Sequence, residues 1–313
     1  VKSDPRVTEE PPLSIAEAAA DEAALVPGAE PIARSNWQLF RRRFFRHKMA
    51  VVSIFILVGL LVACFGAKWL APYPKNHQNI LLGATPPSGA HWFGTDDLGR
   101  DQLSEIMFAG QVSLEIGLVV AILSTIVGVF VGAVAGFFAG LLDQGLSRLT
   151  DLFLIIPEIA VLAVVLKAVG QTPNWIIVVL AALGWMYAAR IVRGQVLSVK
   201  EKEFVEAARA SGASSRRIIV RHILPNTIGP IMVNLTLAIA AAVIAESTLS
   251  FLGFGIQPPQ NSWGRMLSDA ESAAGDFHRF YLIFFPGLML LLTVLAVNFL
   301  GDGLRDAFDA QSD

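Results

Sequence analysis

The sequence predicts an all-α integral membrane protein with six transmembrane helices. Three observations carry that reading. Of 313 residues, 54% are hydrophobic and 16% charged, with a mean hydropathy of +0.58, whereas soluble domains carry roughly a quarter charged residues. Six apolar runs are each long enough to cross a bilayer core of about 30 Å, which takes roughly 20 helical residues. Lys and Arg are concentrated before the first run and between the fourth and fifth and are sparse after the first and fifth, a bias that sets membrane orientation.

Residues 1–34 precede the first run. The stretch SIAEAAADEAALVPGAEP is rich in Ala, Glu and Pro and has no aromatic residue, the composition of a disordered or loosely helical tail. It lacks the charged start, apolar centre and cleavage site of a signal peptide. A basic juxtamembrane segment follows at 35–48.

The first span is MAVVSIFILVGLLVACFGAKWL (49–70), without charge before Lys68. The second, at 112–142, is longer than a bilayer needs and must tilt or protrude. Its Gly128, Gly132, Gly136 and Gly140 recur every four residues on one helical face, where small residues let membrane helices pack closely. The third, at 146–170, is interrupted by Pro157 and Glu158. The fourth, fifth and sixth run over 175–192, 226–253 and 279–301.

Orientation follows from the basic residues. Arg34, Arg41, Arg42, Arg43, Arg46 and Lys48 precede the first span, and seven more lie between the fourth and fifth, from Arg193 to Arg221. The segments after the first and fifth spans carry only Lys75 and Arg100, and Arg265. Both termini and the 193–225 segment are therefore expected on the cytoplasmic side.

That polar insert has internal punctuation. Ser198 and Glu201 have capping-box spacing, which predicts a helix starting near Val199. Phe204, Val205 and Ala208 give it a small apolar face, and Gly212 suits a left-handed stop. Ser214 or Ser215 then caps a second short helix, RRIIVRHI, ending at Leu224-Pro225. The expectation is a helix–turn–helix protrusion over about 199–224, or else an amphipathic connector lying on anionic lipid.

Glu206-Ala207-Ala208, then Gly212, then His222-Ile223-Leu224-Pro225 resembles the EAA signature of the membrane subunits of bacterial ABC importers. HILPN (222–226) is similar to the dipeptide/oligopeptide/nickel branch of that family. HWFGTDDLGRDQLSEIMFAG (91–110), AESTLSFLGFGIQPPQNSWGRML (245–267) and NFLGDGLRDAFD (298–309) resemble its C-type (DppC/OppC-like) permease subunits. The likeness covers the chain from about 35 to 309. Gln111 departs from it, standing where the family often has arginine.

The resemblance implies a type I ABC importer permease fold, with its transmembrane core at 111–309 following the first span and loop at 49–110, and a short tail at 310–313. It makes the insert a coupling helix seated in a groove of a cytoplasmic ATPase, with Glu206, Ala207, Ala208, Gly212, Ala213, Leu224 and Pro225 as its residues. It implies a homologous second permease (DppB/OppB-like), one or two ATPase subunits (DppD/DppF-like), an extracytoplasmic solute-binding protein, and a place in the bacterial cytoplasmic membrane. The cargo would be di- or oligopeptides, or alternatively haem or nickel complexes.

The chain has no G-x-x-x-x-G-K-[ST] phosphate cradle. It is expected to have no cofactor and no enzymatic activity of its own, with ATP and Mg held by the partner ATPases. The lone Cys64 and five scattered histidines suggest neither a disulfide nor a zinc site. Asp96, Asp97 and Asp101 have only a loose calcium-ligand spacing, and no metal site is expected. The connecting segments 71–110 and 254–278 are long for loops. Trp92, Phe93, Trp263 and Arg265 either dock a solute-binding protein or fold back over the bundle's outer mouth. Of the glutamates within spans, Glu115 lies near a span end and meets water. Glu158 and Glu246 either line a polar path or pair with a second subunit. A secondary transporter is the rival from another class, although the inverted repeats it would require are not evident. An intramembrane enzyme would need a convergent catalytic set, and neither H-E-x-x-H nor G-x-S-x-G occurs.

Overall fold

The computed structural model describes residues 36–273 and 275–308, and the chain divides into two units, residues 1–40 and 41–313. In the first unit only residues 36–40 are described, and they are helical. The tails expected at 1–34 and 310–313 lie outside the described residues. Every regular element among the described residues is a helix.

Helix α1 (Asn36–Arg46) is followed by His47 in extended backbone, whose Nδ1 accepts the Ala50 amide at 3.1 Å and caps α2 (Lys48–Phe65). The first apolar run is thus α2 plus a short helix, Ala67–Leu70, joined at Gly66. A long excursion leads to Asp101, whose Oδ2 accepts the Ser104 amide at 2.9 Å and its hydroxyl at 2.7 Å. That cap starts α3 (Gln102–Phe138) at 102, not 112 as the apolar run alone suggested. Its 37 residues span roughly 55 Å, so the helix protrudes past the bilayer core.

Helix α3 stops because Ala139 and Gly140 both take positive φ, 53° and 63°. The third expected span is two helices, α4 (Gly140–Ile155) and α5 (Glu158–Val169), bent by 85°. Pro157 offers no amide hydrogen and holds Ile156 extended, so no helix can run through the break. Beyond α5, the Gln171 side chain donates to the Gly253 carbonyl at 3.2 Å, at the opposite end of the bundle from the start of α4. The bent pair therefore makes one crossing, and with α2, α3, α6 (Pro173–Val199), α8 (Ile228–Phe251) and α10 (Tyr281–Phe308) gives six among the described residues. Between α6 and α8 stands α7 (Glu203–Ala210), and α9 (Trp263–Asp269) lies between α8 and α10.

The pair α3 and α6 forms the spine. A Cβ on Gly132 would meet the Ala189 carbonyl oxygen at 2.5 Å, and one on Gly136 would meet that of Arg193 at 2.9 Å. Gly128 is packed in the same way on Ala188, so the glycine repeat is an intrachain helix seam. Gly140 lies past the break and faces open space. Around the spine, Ile116 and Val120 pack with Leu162 and Leu166 of α5, Ile176 and Leu180 of α6, and Leu249 of α8.

Two ends result. One carries residues 41–46 of α1, the start of α2, the 200–227 protrusion and the close of α10. The other carries the segments 66–101 and 252–280, which fold together into a cap.

Candidate functional site

Three regions of the bundle carry polar chemistry. At the protrusion end, α6 runs through Val199, so the capping box expected at Ser198 does not form; α7 starts at Glu203 instead. The Lys200 amide instead continues α6 by donating to the Val196 carbonyl. Glu203 and Glu206 occupy the first turn of α7, where the helix dipole favours negative charge. Gly212 ends the element at φ 76°, with the Ala213 amide reaching back to the Ala208 carbonyl and the Gly212 amide to that of Arg209. This is a Schellman closure, which requires a left-handed residue at that position. Ser214, of the two serines considered, caps the next helix.

Pro225 does not end that helix. Ser215–Ile218 widens into a π-helical segment, Ile219–Ile223, before Leu224–Asn226 and α8. Widening gives the carbonyls before Pro225 room for its ring, which would clash in a regular α-turn.

Val205, Ile218 and Ile223 are buried with Val192 and Val196 of α6 and Ala133 of α3. Ala208, Ala213 and Leu224 pack half-buried against that cluster, while Glu206, Ala207, Gly212 and Pro225 face outward. The signature residues thus separate into an inner set that fixes the protrusion to the spine and an outer set on its surface. Phe204, expected on the apolar face, is exposed. Lys200 Nζ further ties the protrusion to α3 by donating to the Gly136 carbonyl at 3.1 Å.

Beside it, α4 is clasped to α6 by two ion pairs. Arg193 holds Asp143 with both oxygens engaged, at 2.5 and 2.8 Å, and Arg190 meets Asp151 at 2.6 Å. Sequence reading missed Asp143 and Asp151, whose partners lie on another helix.

Within the spans, a groove of about 430 Å³ opens between α3, α5, α6 and α8. Its walls are mainly Ala and Leu, with Ser124, Glu158, Tyr187 and Asn234 as the polar exceptions. Glu158 stands immediately after the Pro157 break, at the start of α5. Glu246 does not line this groove. It is fully buried, accepting hydrogen bonds from Ser250 at 2.7 Å, Ser113 at 3.3 Å and Ser247 at 3.4 Å. Ser250 also accepts the Ile256 amide and Ser113 the Trp263 amide, so this carboxylate joins α3, α8 and the cap. Glu115 is exposed on α3.

At the cap end, Trp263 is fully buried and donates its Nε1 to the Ile106 carbonyl at 3.0 Å. Phe93 stacks on Phe285 with ring centroids 3.9 Å apart. Both were candidate docking residues; Trp263 is instead core and Phe93 is packed, because their rings fill the space above α3 and α10. Trp92 remains 68% exposed. Glu105, unnoticed in the sequence, is buried and joins both cap segments, accepting the Asn76 amide at 2.9 Å and the Asn261 side chain at 3.4 Å. The three aspartates do not converge. Asp96 pairs with Arg100 at 2.6 Å, Asp97 with Arg279, and Asp101 caps α3 while meeting His91 at 2.9 Å. A cleft of about 610 Å³ lies between the cap segments, bordered by Asn76, Arg100, Pro259 and Arg265. Gln111 donates to the Cys64 carbonyl at 2.7 Å, a neutral tie between α3 and α2.

Comparison with known proteins gives a consistent picture. Residues 128–312 match the family described as binding-protein-dependent transport system inner membrane component. Residues 35–87 match the N-terminal TM domain of oligopeptide transport permease C. The oligopeptide transport system permease protein OppC of Mycobacterium tuberculosis (strain ATCC 25618 / H37Rv) is 40% identical over 280 residues, covering 89% of this chain and 96% of that protein. The dipeptide transport system permease protein DppC of Bacillus subtilis (strain 168) is 41% identical over 268 residues, covering 86% and 83%. The glutathione transport system permease protein GsiD of Shigella flexneri serotype 5b (strain 8401) is 41% identical over 280 residues, covering 88% and 91%.

Proposed function

The chain belongs to the family of binding-protein-dependent transport system inner membrane components, and from that premise we propose that it is the C-type permease subunit of an ATP-driven importer of di- and oligopeptides. Three similar permeases are named for oligopeptide, dipeptide and glutathione transport, which favours a peptide cargo over haem or a nickel complex. The subunit works with a homologous second permease, one or two ATPase subunits that hold ATP and Mg, and an extracytoplasmic solute-binding protein. It sits in the bacterial cytoplasmic membrane with both termini and the protrusion inside, as the distribution of basic residues requires.

The observation that carries the mechanism is the protrusion itself. Glu206, Ala207 and Gly212 are presented on the outside of an element whose inner side is locked to α3 and α6. A force applied there by closure of an ATPase pair reaches the spine through Val205, Ile218 and Ile223, and reaches α8 along the helical path through Leu224 and Pro225. Nucleotide then needs only to bias an equilibrium between inward- and outward-facing states. The groove holding Glu158 is the proposed path, its carboxylate offering a partner to a peptide's ammonium group. The cap end, with exposed Trp92 and the cleft beside Arg265, is the proposed seat of the binding protein.

The test is to change Glu206→Arg and Gly212→Val in the assembled transporter and measure ATP hydrolysis and peptide uptake together. Uptake should fall at least about tenfold while membrane assembly persists, the scale set by loss of roughly 1.4 kcal/mol of coupling. Coupled uptake at the parent rate in both variants would remove the docking role. Uptake of labelled peptide, haem and nickel complex with the cognate binding protein decides the cargo separately.

A further inference from the structure

Within residues 41–49 the chain presents a surface that transport does not account for. We propose that Arg41, Arg42, Phe45 and Arg46 of α1, with Lys48, form a binding surface for anionic phospholipid in the leaflet where α2 begins. At 3.6 residues per turn, these four α1 residues fall within an arc of about 140°. Arg41, Arg42 and Arg46 are exposed, and Phe45, set among them, is 61% exposed. On the other side of the helix, Phe44 is buried beside Gly303 of α10, and His47 approaches Asp306 at 3.7 Å. The bundle thus fixes one side of α1 and leaves the cationic side outward.

Charge and continuity name the occupant. No Asp or Glu occurs from residue 31 to residue 95, so nothing nearby in sequence neutralises the patch. Among the described residues, the ion pairs leave Arg41, Arg42, Arg46 and Lys48 unengaged. From Phe45 the exposed apolar surface continues through Met49, Val52 and Phe55 along α2, the side chains that acyl tails would cover. A lipid with its phosphate at the arginines and its tails along α2 matches both features at once. A protein partner would have to supply acidic groups and an apolar strip in that same order. Orientation alone needs basic residues on this side of the membrane but does not need an aromatic ring exposed among them.

The experiment uses the assembled transporter, purified through a partner subunit, in nanodiscs carrying photoactivatable phosphatidylglycerol or the matching phosphatidylcholine probe. Labelling of the peptide covering 41–55 should favour phosphatidylglycerol by about fivefold or more, the scale of one basic residue at an anionic surface. Arg41→Gln/Arg42→Gln/Arg46→Gln should bring the ratio close to one, and the matching Arg→Lys variant should keep it. If the triple variant fails to assemble, Arg42→Gln and Arg46→Gln are read singly, each lowering the ratio. Excess inorganic phosphate should not compete. Equal labelling by both lipids, an unchanged ratio in the Gln variants, competition by free phosphate, or crosslinks to another subunit would each overturn the proposal.

Discussion

At the scale of single residues, two kinds of glycine are separated by what surrounds them. Gly132 lies against the backbone of α6, where even a methyl group would stand 2.5 Å from a carbonyl oxygen, while Gly59 of α2 has open space around it. Gly132→Ala should force α3 and α6 apart and destabilise the protein by about 1–3 kcal/mol, the cost of overpacking a close contact. Gly59→Ala should be neutral or slightly stabilising. Thermal unfolding in detergent distinguishes the two, and equal midpoints would mean that the seam tolerates added volume. The four-residue spacing revealed the stripe, but the identity of the facing helix was not legible, because small residues at that interval suit any neighbour. The same limit applied to carboxylates. Glu158 and Glu246 both read as costly charges within spans, yet one borders a groove and the other is enclosed by serines.

At the scale of elements, α4 buries little of itself, with Thr150 its one buried residue. It follows two residues of positive φ, precedes the Pro157 break, and exposes Leu141, Leu152 and Ile155. Its polar hold on α6 is the Asp143–Arg193 and Asp151–Arg190 clasp. Partly exposed pairs of this kind are worth about 1 kcal/mol or less, so the clasp by itself is a weak hold. Arg193→Gln should raise hydrogen exchange of the 140–155 amides severalfold and slow uptake. The exchanged pair Asp143→Arg/Arg193→Asp should restore part of both. Exchange unchanged in Arg193→Gln would show that apolar packing alone holds α4. Element boundaries were read well where a local signal decided them, as at Gly212 and Ser214. They were misread at Ser198, where the capping-box spacing was present but α6 ran on through it, and at 102, where the Asp101 cap lies outside the apolar run.

At the scale of the whole molecule, six crossings give the chain two chemically different ends, and the orientation reading can be tested directly. Cys64 is buried, so an introduced thiol is read against a low background. Ser88→Cys in the cap should react with a membrane-impermeant reagent in intact cells, and Ser214→Cys at the protrusion only after permeabilisation. The reverse pattern would invert the proposed topology. The sequence by itself determined that the protein is helical and membrane-spanning, and where the polar protrusion lies. These properties depend on composition, run length and spacing, all of which are local along the chain. Only the tertiary structure decided which residues meet: Trp263 in the core rather than on a docking surface, Glu105 and Glu246 as ties between the helices and the cap, and Asp143 against Arg193. The physical reason is that a side chain's role depends on what is packed against it, and those neighbours are distant in the chain, as Ile106 is from Trp263, 157 positions away.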